Sequence, residues 1–294
     1  MILPVLPSFP RYPTFIMRPG TLYVVATPLG NLGDLTARAA EVLRAVPVVA
    51  AEDTRRTRGL LTHLGVAPSV LSFHAHSDRH RLESLLEILR SGRDVALVSD
   101  AGTPTVSDPG TDLVAGARGA GIPVVPIPGA SAVATALSAS GLAGDRYLFL
   151  GFIPRKGRER TRLLTRAAGE EWSVVIYEAP PRLAALLKDL RSVAGAGRTV
   201  VVARELTKMH EEIRSGSLAE LADYYSAIPP KGEITVILEG TRTPAPEPDR
   251  TEDAMEQASL LLADGLTRRE VVRRLTDTLG MPRNEAYKLV MELP

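Results

Sequence analysis

Residues 95–110 read VALVSDAGTPTVSDPG, and their pattern sets the frame for the whole chain. Four apolar residues, Val95 to Val98, follow Gly92 and run into Ser-Asp-Ala-Gly-Thr-Pro, the pattern of a buried parallel strand that empties into a loop. In an open α/β sheet the loops at the carboxyl ends of parallel strands form the ligand crevice, because backbone N–H groups converge there. Asp100 stands at the lip of that crevice, and Gly102 lets a ligand approach the main chain. An aspartate in this place suits an ammonium or a ribose hydroxyl. Asp100 and Asp108 also have a plainer reading, since aspartate commonly caps turns and helices.

Upstream, a unit of strand, loop and helix recurs. Strand 21–26 is followed by TPLGNLGDLT and a helix over 36–45; strand 47–51 is followed by Glu52-Asp53-Thr54 and a helix closed by Gly65. Strand 70–73 leads to a helix whose Leu82, Leu85, Leu86 and Leu89 share one face. Downstream come a small-residue helix over 111–120, strand 122–127, and a helix opened by PGASA that ends near Ser140. Five strands alternating with helices predict a parallel, doubly wound sheet. From Tyr147 the alternation resumes with YLFLGFIP, a basic helix, WSVVIYEAP, a helix over 181–190, TVVVAREL, a helix over 217–225, and ITVILEG.

The spacing therefore predicts an α/β protein with two α/β domains, 20–142 and 143–240, a proline-broken linker over 241–250 and a helical module over 251–294. Within the module, Thr267-Arg-Arg-Glu270 is a capping box and Pro282 opens the last helix. Residues 1–19 carry five prolines and lack the basic start and unbroken apolar run of a secretion signal, so a disordered arm is expected.

Composition removes several function classes. At 294 residues, 45% hydrophobic and 23% charged, the chain is globular and long enough for two domains. Its net charge of +1 offers no bulk attraction to nucleic acid, so RNA contact has to come from local clusters. With no cysteine, disulfides, thiolate metal sites and cysteine nucleophiles are excluded, and a cytoplasmic location fits. No apolar run has the length of a membrane span, so no membrane partner is expected. Only Gly30 and Gly33 follow the first strand, and neither G-x-G-x-x-G nor G-x-x-x-x-G-K-[ST] occurs there. A Rossmann dehydrogenase and a P-loop NTPase are both disfavoured.

Eight motifs stand in order: TPLGNLGDLT (27–36), AAEDTRRT (50–57), SFHAH (72–76), VSDAGTP (98–104), SDPG (107–110), PGASA (128–132), ARELTK (203–208) and KGE (231–233). From about Gly20 to Gly240 the set resembles the tetrapyrrole-methylase superfamily. Within it, the chain is similar to the branch that acts on small-subunit ribosomal RNA, including that branch's C-terminal helices. The proline-rich arm departs from the pattern. This resemblance implies two α/β domains with S-adenosylmethionine (SAM) in the cleft between them, a homodimer, and methyl transfer to a cytidine ribose 2′-OH in the 16S rRNA of the 30S subunit.

The residues are compatible with a SAM site, which needs an acceptor for the amino group, donors for the carboxylate and an apolar wall around adenine. The loop with Asp100, Gly102 and Thr103 offers the first, Ser131 and Ala132 at a helix start the second, and Leu29 with the second domain the third. Tyr177, Glu178 and the Lys231-Gly232-Glu233 turn are expected to join from the second domain. Serine also caps helices whatever it binds.

For RNA, the candidates are Arg55, Arg56 and Arg58 after the second strand, His74 and His76, and the basic run Arg155, Lys156, Arg158 and Arg160, continued by Arg162 and Arg166. Charge runs at helix starts are also ordinary solvated faces. His74 and His76 alternate on one face but have no third ligand at metal spacing, so no metal is expected. Arg268, Arg269, Arg273 and Arg274 give the tail a mostly single basic face suited to RNA docking.

Taking the hydroxyl proton calls for a base opposite the sulfonium. With Asp100 assigned to the cofactor, Glu178 or Glu205 is expected there; their alternative is to pair with Arg182 or Arg204. Two other functions fit the same fold: methylation of a tetrapyrrole-like small molecule, and non-catalytic ribosome binding. The basic cluster and helical tail argue against a small substrate.

Overall fold

Two five-stranded sheets, each covered by helices, build the larger part of the chain. The computed structural model describes residues 18–75, 77, 79–241, 250–279 and 281–293. Nearly all of the expected arm, most of the 241–250 linker, and His76 lie outside the described residues. One unit runs to Ala167 and takes in Trp172–Glu239; the other comprises Ala168–Glu171 and the chain from Gly240 on.

The first sheet contains β1 (Leu22–Val25), β2 (Val48–Ala51), β3 (Ser69–Ser72), β4 (Val95–Val98) and β5 (Val124–Ile127). Its order is β3-β2-β4-β1-β5, and every pairing is parallel. All four residues of β2 and of β4 are buried, because alternate side chains enter separate cores on the two faces. Val48, Ala50, Val95 and Leu97 meet Leu85, Leu89 and Leu113, whereas Val49, Ala51, Ala96 and Val98 meet Leu43 and Leu61. A sheet covered on both faces reads as an unbroken apolar run, and that is how 95–98 reads.

The covering helices are α1 (Ala37–Ala45), α2 (Thr54–His63), α3 (Arg79–Arg90) and α4 (Thr111–Gly119), with α5 (Ala132–Ser140) after β5. Thr36 and Asp53 cap α1 and α2 by accepting from the N–H groups of Ala39 and Arg55. In the strand order, β1 and β4 lie side by side where the winding changes direction, the usual crevice of such sheets. Their exits are tied by a two-way bridge between Thr27 and Gly102, both N–H···O distances being 2.9 Å.

The second sheet contains β6 (Tyr147–Phe152), β7 (Ser173–Glu178), β8 (Thr199–Arg204), β9 (Glu212–Ser217) and β10 (Ile234–Leu238), in the order β6-β7-β10-β8-β9. Only β6 and β7 run parallel; β10 is antiparallel to both its neighbours, as β9 is to β8. Strand β9 is absent from the sequence expectation because EIRSGS is a polar edge strand with a single large apolar residue, Ile213.

One face of this sheet is covered by α6 (Arg158–Gly169), α7 (Leu183–Ala194) and α8 (Leu218–Ala227), through Leu164, Leu186, Leu190 and Leu221. The other face, with Val175, Val201 and Ile237, packs against Val133, Ala136 and Leu137 of α5 and against Leu29 and Leu206. Burying a side chain such as Val133 or Leu137 is worth about 1.5–3 kcal/mol. Helix α5 thus fastens the strand-exit loops of the first sheet against the second.

The C-terminal unit contains α9 (Arg250–Ala263), α10 (Arg268–Leu279) and α11 (Arg283–Glu292) around a core of Ala258, Val271, Leu275, Met281, Ala286 and Leu289. The capping box forms: Glu270 accepts from the Thr267 N–H at 2.9 Å, and Thr267 Oγ1 accepts in return from Glu270. Arg268 is not part of a free basic face, since it donates to the Val290 and Leu293 carbonyls. Arg269, Arg273 and Arg274 are exposed. No described helix is long and apolar enough to cross a membrane.

Candidate active site

A cavity of about 510 Å³ opens between the β1 and β4 exits on one side and the ends of β7 and β10 on the other. That volume falls within the range of about 300–1,000 Å³ common for small-molecule sites. Of the expected cofactor contacts, Leu29, Asp100, Gly102, Thr103, Ser131, Ala132, Tyr177, Glu178, Gly232 and Glu233 line it. Lys231 does not; it faces a smaller cavity shared with Arg204, Glu205 and Tyr225.

The first-sheet wall is braced by its own polar groups. Asp100 Oδ1 accepts from the Asp53 N–H at 2.9 Å, which ties the exit of β4 to that of β2. Asp100 Oδ2 lies 3.8 Å from the Arg56 guanidinium, which is also 3.7 Å from Glu233 across the opening. The Thr103 hydroxyl donates to the Ala130 carbonyl at 3.2 Å. Ser131 occupies the N-cap of α5 without a side-chain cap hydrogen bond and lines the cavity.

On the facing wall, Glu178 is 2% exposed. Its Oε1 accepts from the Ala179 N–H at 2.8 Å and pairs with Arg182 Nε at 3.0 Å, while the buried Oε2 has no hydrogen-bond partner among the described residues. Burial pushes the Glu178 pKa up, and the Ala179 N–H and Arg182 pull it back. A buried carboxylate costs free energy, and the Ala179 N–H and Arg182 offset part of that cost.

Glu205, the other carboxylate expected as a base, is not among the cavity-lining residues. Its Oε1 accepts from Lys208 Nζ at 2.9 Å and from the Glu233 N–H at 3.0 Å, and the lysine holds its carboxyl below the ordinary range. Lys208 also reaches Glu233 at 3.1 Å. Gly232, at φ +85°, is where a Cβ would stand 2.1 Å from Glu205 Oε1. Glu205 therefore clips the KGE turn into place. Its ion-pair partner is Lys208; Arg204 pairs instead with Glu212.

Sequence reasoning left out Glu52, Val106, Asp108, Phe152 and Leu206, all of which line the cavity. Burial pushes the Asp108 pKa up to about 6; a Ser99 hydrogen bond opposes the shift, and the charges of Glu52, Asp100 and Glu233 reinforce it. Burial likewise raises Glu52. Asp108 follows two non-glycine residues with left-handed backbone, Thr105 at φ 72° and Ser107 at φ 61°. Such positions cost roughly 1–3 kcal/mol each and gather at functional sites. SDPG was visible as a motif, but a cap explains an Asp-Pro-Gly equally well, which hid the place of Asp108 in the cavity wall.

The expected RNA contacts divide. Arg58, His74, Arg155, Lys156 and Arg158 are exposed, and Arg56 stands at the cavity opening. Arg55 is exposed but paired with Asp53 at 3.0 Å. Arg160 is mostly buried and donates to Asp189 at 3.0 Å and to the Pro154 carbonyl at 2.9 Å, which removes it from the exposed basic run. Among the described residues no cluster of three or more His, Asp or Glu is placed to hold a metal ion.

The cavity fits SAM on its own chemistry. Among the described residues that line it, Glu52, Asp100, Asp108, Glu178 and Glu233 outnumber the one cation, Arg56, which suits a ligand carrying a sulfonium and an ammonium. Leu29, Ala132 and Leu206 supply an apolar wall.

Residues 21–222 match the family description Tetrapyrrole (Corrin/Porphyrin) Methylases. Solved structures with the same fold include a uroporphyrin-III C-methyl transferase from Thermus thermophilus complexed with S-adenyl homocysteine. It is 21% identical with a TM-score of 0.55, over 75% of this chain and 97% of that one. Cobalt precorrin-4 methyltransferase is 19% identical with a TM-score of 0.58, over 74% and 94%. At such identities the likeness is one of fold. Nearer in sequence is the ribosomal RNA small subunit methyltransferase I of Synechocystis sp., 46% identical over 275 residues, 93% of this chain and 98% of the relative. Its namesake from Escherichia coli O157:H7 is 42% identical over 275 residues, 93% and 95% of the two chains. The chain belongs to the tetrapyrrole methylase family, in the branch formed by the ribosomal RNA small subunit methyltransferases I.

Proposed function

We propose that this enzyme transfers the methyl group of SAM to the ribose 2′-OH of a cytidine in the 16S rRNA of the small ribosomal subunit. The observation that carries the reading is 46% identity to an rRNA small subunit methyltransferase I along 93% of the chain. The family match ends at residue 222, before the helical unit, and the tetrapyrrole enzymes share only the fold. Exposed cations at Arg155, Lys156 and Arg158 and on α10 suit a phosphate backbone.

Bound SAM supplies an electrophilic methyl group whose departure leaves a neutral thioether. The protein is left to hold the donor, align the ribose oxygen and accept one proton. Holding falls to Asp100 and Ser131, with Glu178 in the facing wall and the Glu205 clip keeping Gly232 and Glu233 in place. Alignment of this kind supplies several kcal/mol. As its oxygen takes the methyl group that SAM would supply, the ribose hydroxyl would give its proton to the Asp108 carboxylate. Glu178 is engaged by Arg182 and Glu205 by Lys208, whereas Asp108 lines the cavity with no such cation on it among the described residues.

The direct test is methyl transfer from labelled SAM to undermethylated 30S subunits, with naked 16S rRNA and a tetrapyrrole as comparison substrates. Label is expected in 2′-O-methylcytidine; label entering only the tetrapyrrole, or none at all, defeats the reading. Replacing Arg269, Arg273 and Arg274 together with Glu is expected to raise KM for 30S several-fold and to leave SAM affinity unchanged, and an unaltered KM would refute docking by α10. The branch resemblance further leads us to expect a homodimer, which sedimentation at micromolar concentration tests; a monomer there contradicts it.

A further inference from the structure

Phe152 stands at the rim of the cavity, 55% exposed, on edge strand β6. Its orientation is built rather than accidental. In a regular strand, residues three apart point to opposite faces, so Phe149 and Phe152 should diverge. Between Phe149 and Gly151 the pairing of β6 with β7 shifts by one residue, and the phase shifts with it. Both rings consequently pack edge-on against Tyr177, with centroids 4.9 Å and 5.6 Å away. Gly151 makes this possible: it adopts φ 61°, and a Cβ there would lie 2.8 Å from Ser107 Oγ, so the strand presses against the loop that carries Asp108.

The segment after the ring is pinned as well. Arg182, already paired with Glu178, donates to the Ile153 carbonyl, and Arg160 donates to the Pro154 carbonyl at 2.9 Å. Val106, 38% exposed, also lines the cavity. The buried wall of Leu29, Ala132 and Leu206 already serves an apolar group held deep in the cavity. A fixed, half-exposed aromatic ring at the rim serves a group that arrives from solvent and leaves again. Three residues further on, Arg155, Lys156 and Arg158 are exposed cations. An aromatic platform followed by exposed cations is how proteins hold an unstacked nucleotide, base on ring and phosphate on charge.

We infer that Phe152 is the stacking platform for the target nucleobase, an extruded pyrimidine whose exocyclic amine faces the carboxylates at the opening. This rests on the rRNA reading above, and it adds what holds the base. Carboxylates accept from the cytosine amine and have no donor to offer uracil O4. Phe152→Ala should lower kcat/KM on undermethylated 30S about tenfold, with calorimetric SAM affinity and sedimentation unchanged; Phe152→Trp should restore the rate, and Phe152→Leu should not. The platform is overturned if Phe152→Ala matches wild type, if Leu serves as well as Phe, if SAM affinity falls in parallel, or if the variant changes oligomeric state. Wild type is measured first on the same subunits, and its failure to methylate them would sink the rRNA reading itself.

Discussion

Asp108→Asn should lower kcat about a hundredfold or more on undermethylated 30S, with SAM affinity within twofold of wild type. A positioned general base contributes about 10²–10⁴-fold, and the amide keeps the shape while losing the proton acceptor. With its pKa raised to about 6, Asp108 is ionised above that pH. Wild-type kcat should therefore climb to an inflection near pH 6 and stay level above it, and the variant should lose that inflection. Burial sets it first; the Ser99 hydrogen bond opposes it, and the charges of Glu52 after β2, Asp100 after β4 and Glu233 before β10 add to it. Stability gives an independent check of sign. The folded pKa lies above the ordinary aspartate value of 3.8, so the ionised carboxylate opposes folding above pH 6, and the penalty fades as pH falls from 6 to 4. The asparagine variant should be about 1 kcal/mol more stable at pH 7, a figure reduced for the solvent that reaches Asp108. A variant with normal kcat, or one that is inactive only because it unfolds, would remove Asp108 from the chemistry.

How much of this was legible depended on how local each signal was. The first sheet could be read because VVAA and VALV are buried on both faces and their loops carry glycine at the exits. The second could be read only in part: a strand such as ITVIL states its burial but not its direction, and the reversal of β10 between β7 and β8 has no local signature. Cofactor-side residues lay on strand-exit loops, where position follows from the alternation itself. Asp108 and Phe152 escaped for different reasons. The acidity of Asp108 is a property of neighbours drawn from distant strand ends, and the aim of Phe152 depends on a bulge that no spacing rule reports. Glu205 misled in the opposite sense, since a conspicuous carboxylate in ARELTK turned out to hold the KGE turn.

Glu178→Gln separates the remaining roles of the two walls. Glu178 lines the cavity wall, and a charge-assisted hydrogen bond to a ligand is worth about 1.5–3 kcal/mol. The amide removes the negative charge from that wall, so SAM affinity should fall at least about tenfold. Arg182 keeps an acceptor in the amide oxygen but loses the negative charge beside it, and because Arg182 is itself partly exposed the fold should lose only about 1–2 kcal/mol. Under saturating SAM, kcat should recover to within a few-fold of wild type, since Glu178 takes no part in moving the proton. The opposite pattern, kcat down a hundredfold with SAM affinity intact, would make Glu178 the base and return Asp108 to the cap that its sequence first suggests. Measured together, the two variants allow only one carboxylate to carry the pH inflection near 6, and our proposal is that it is Asp108, because Arg182 grips Glu178 while no cation pairs with Asp108 among the described residues.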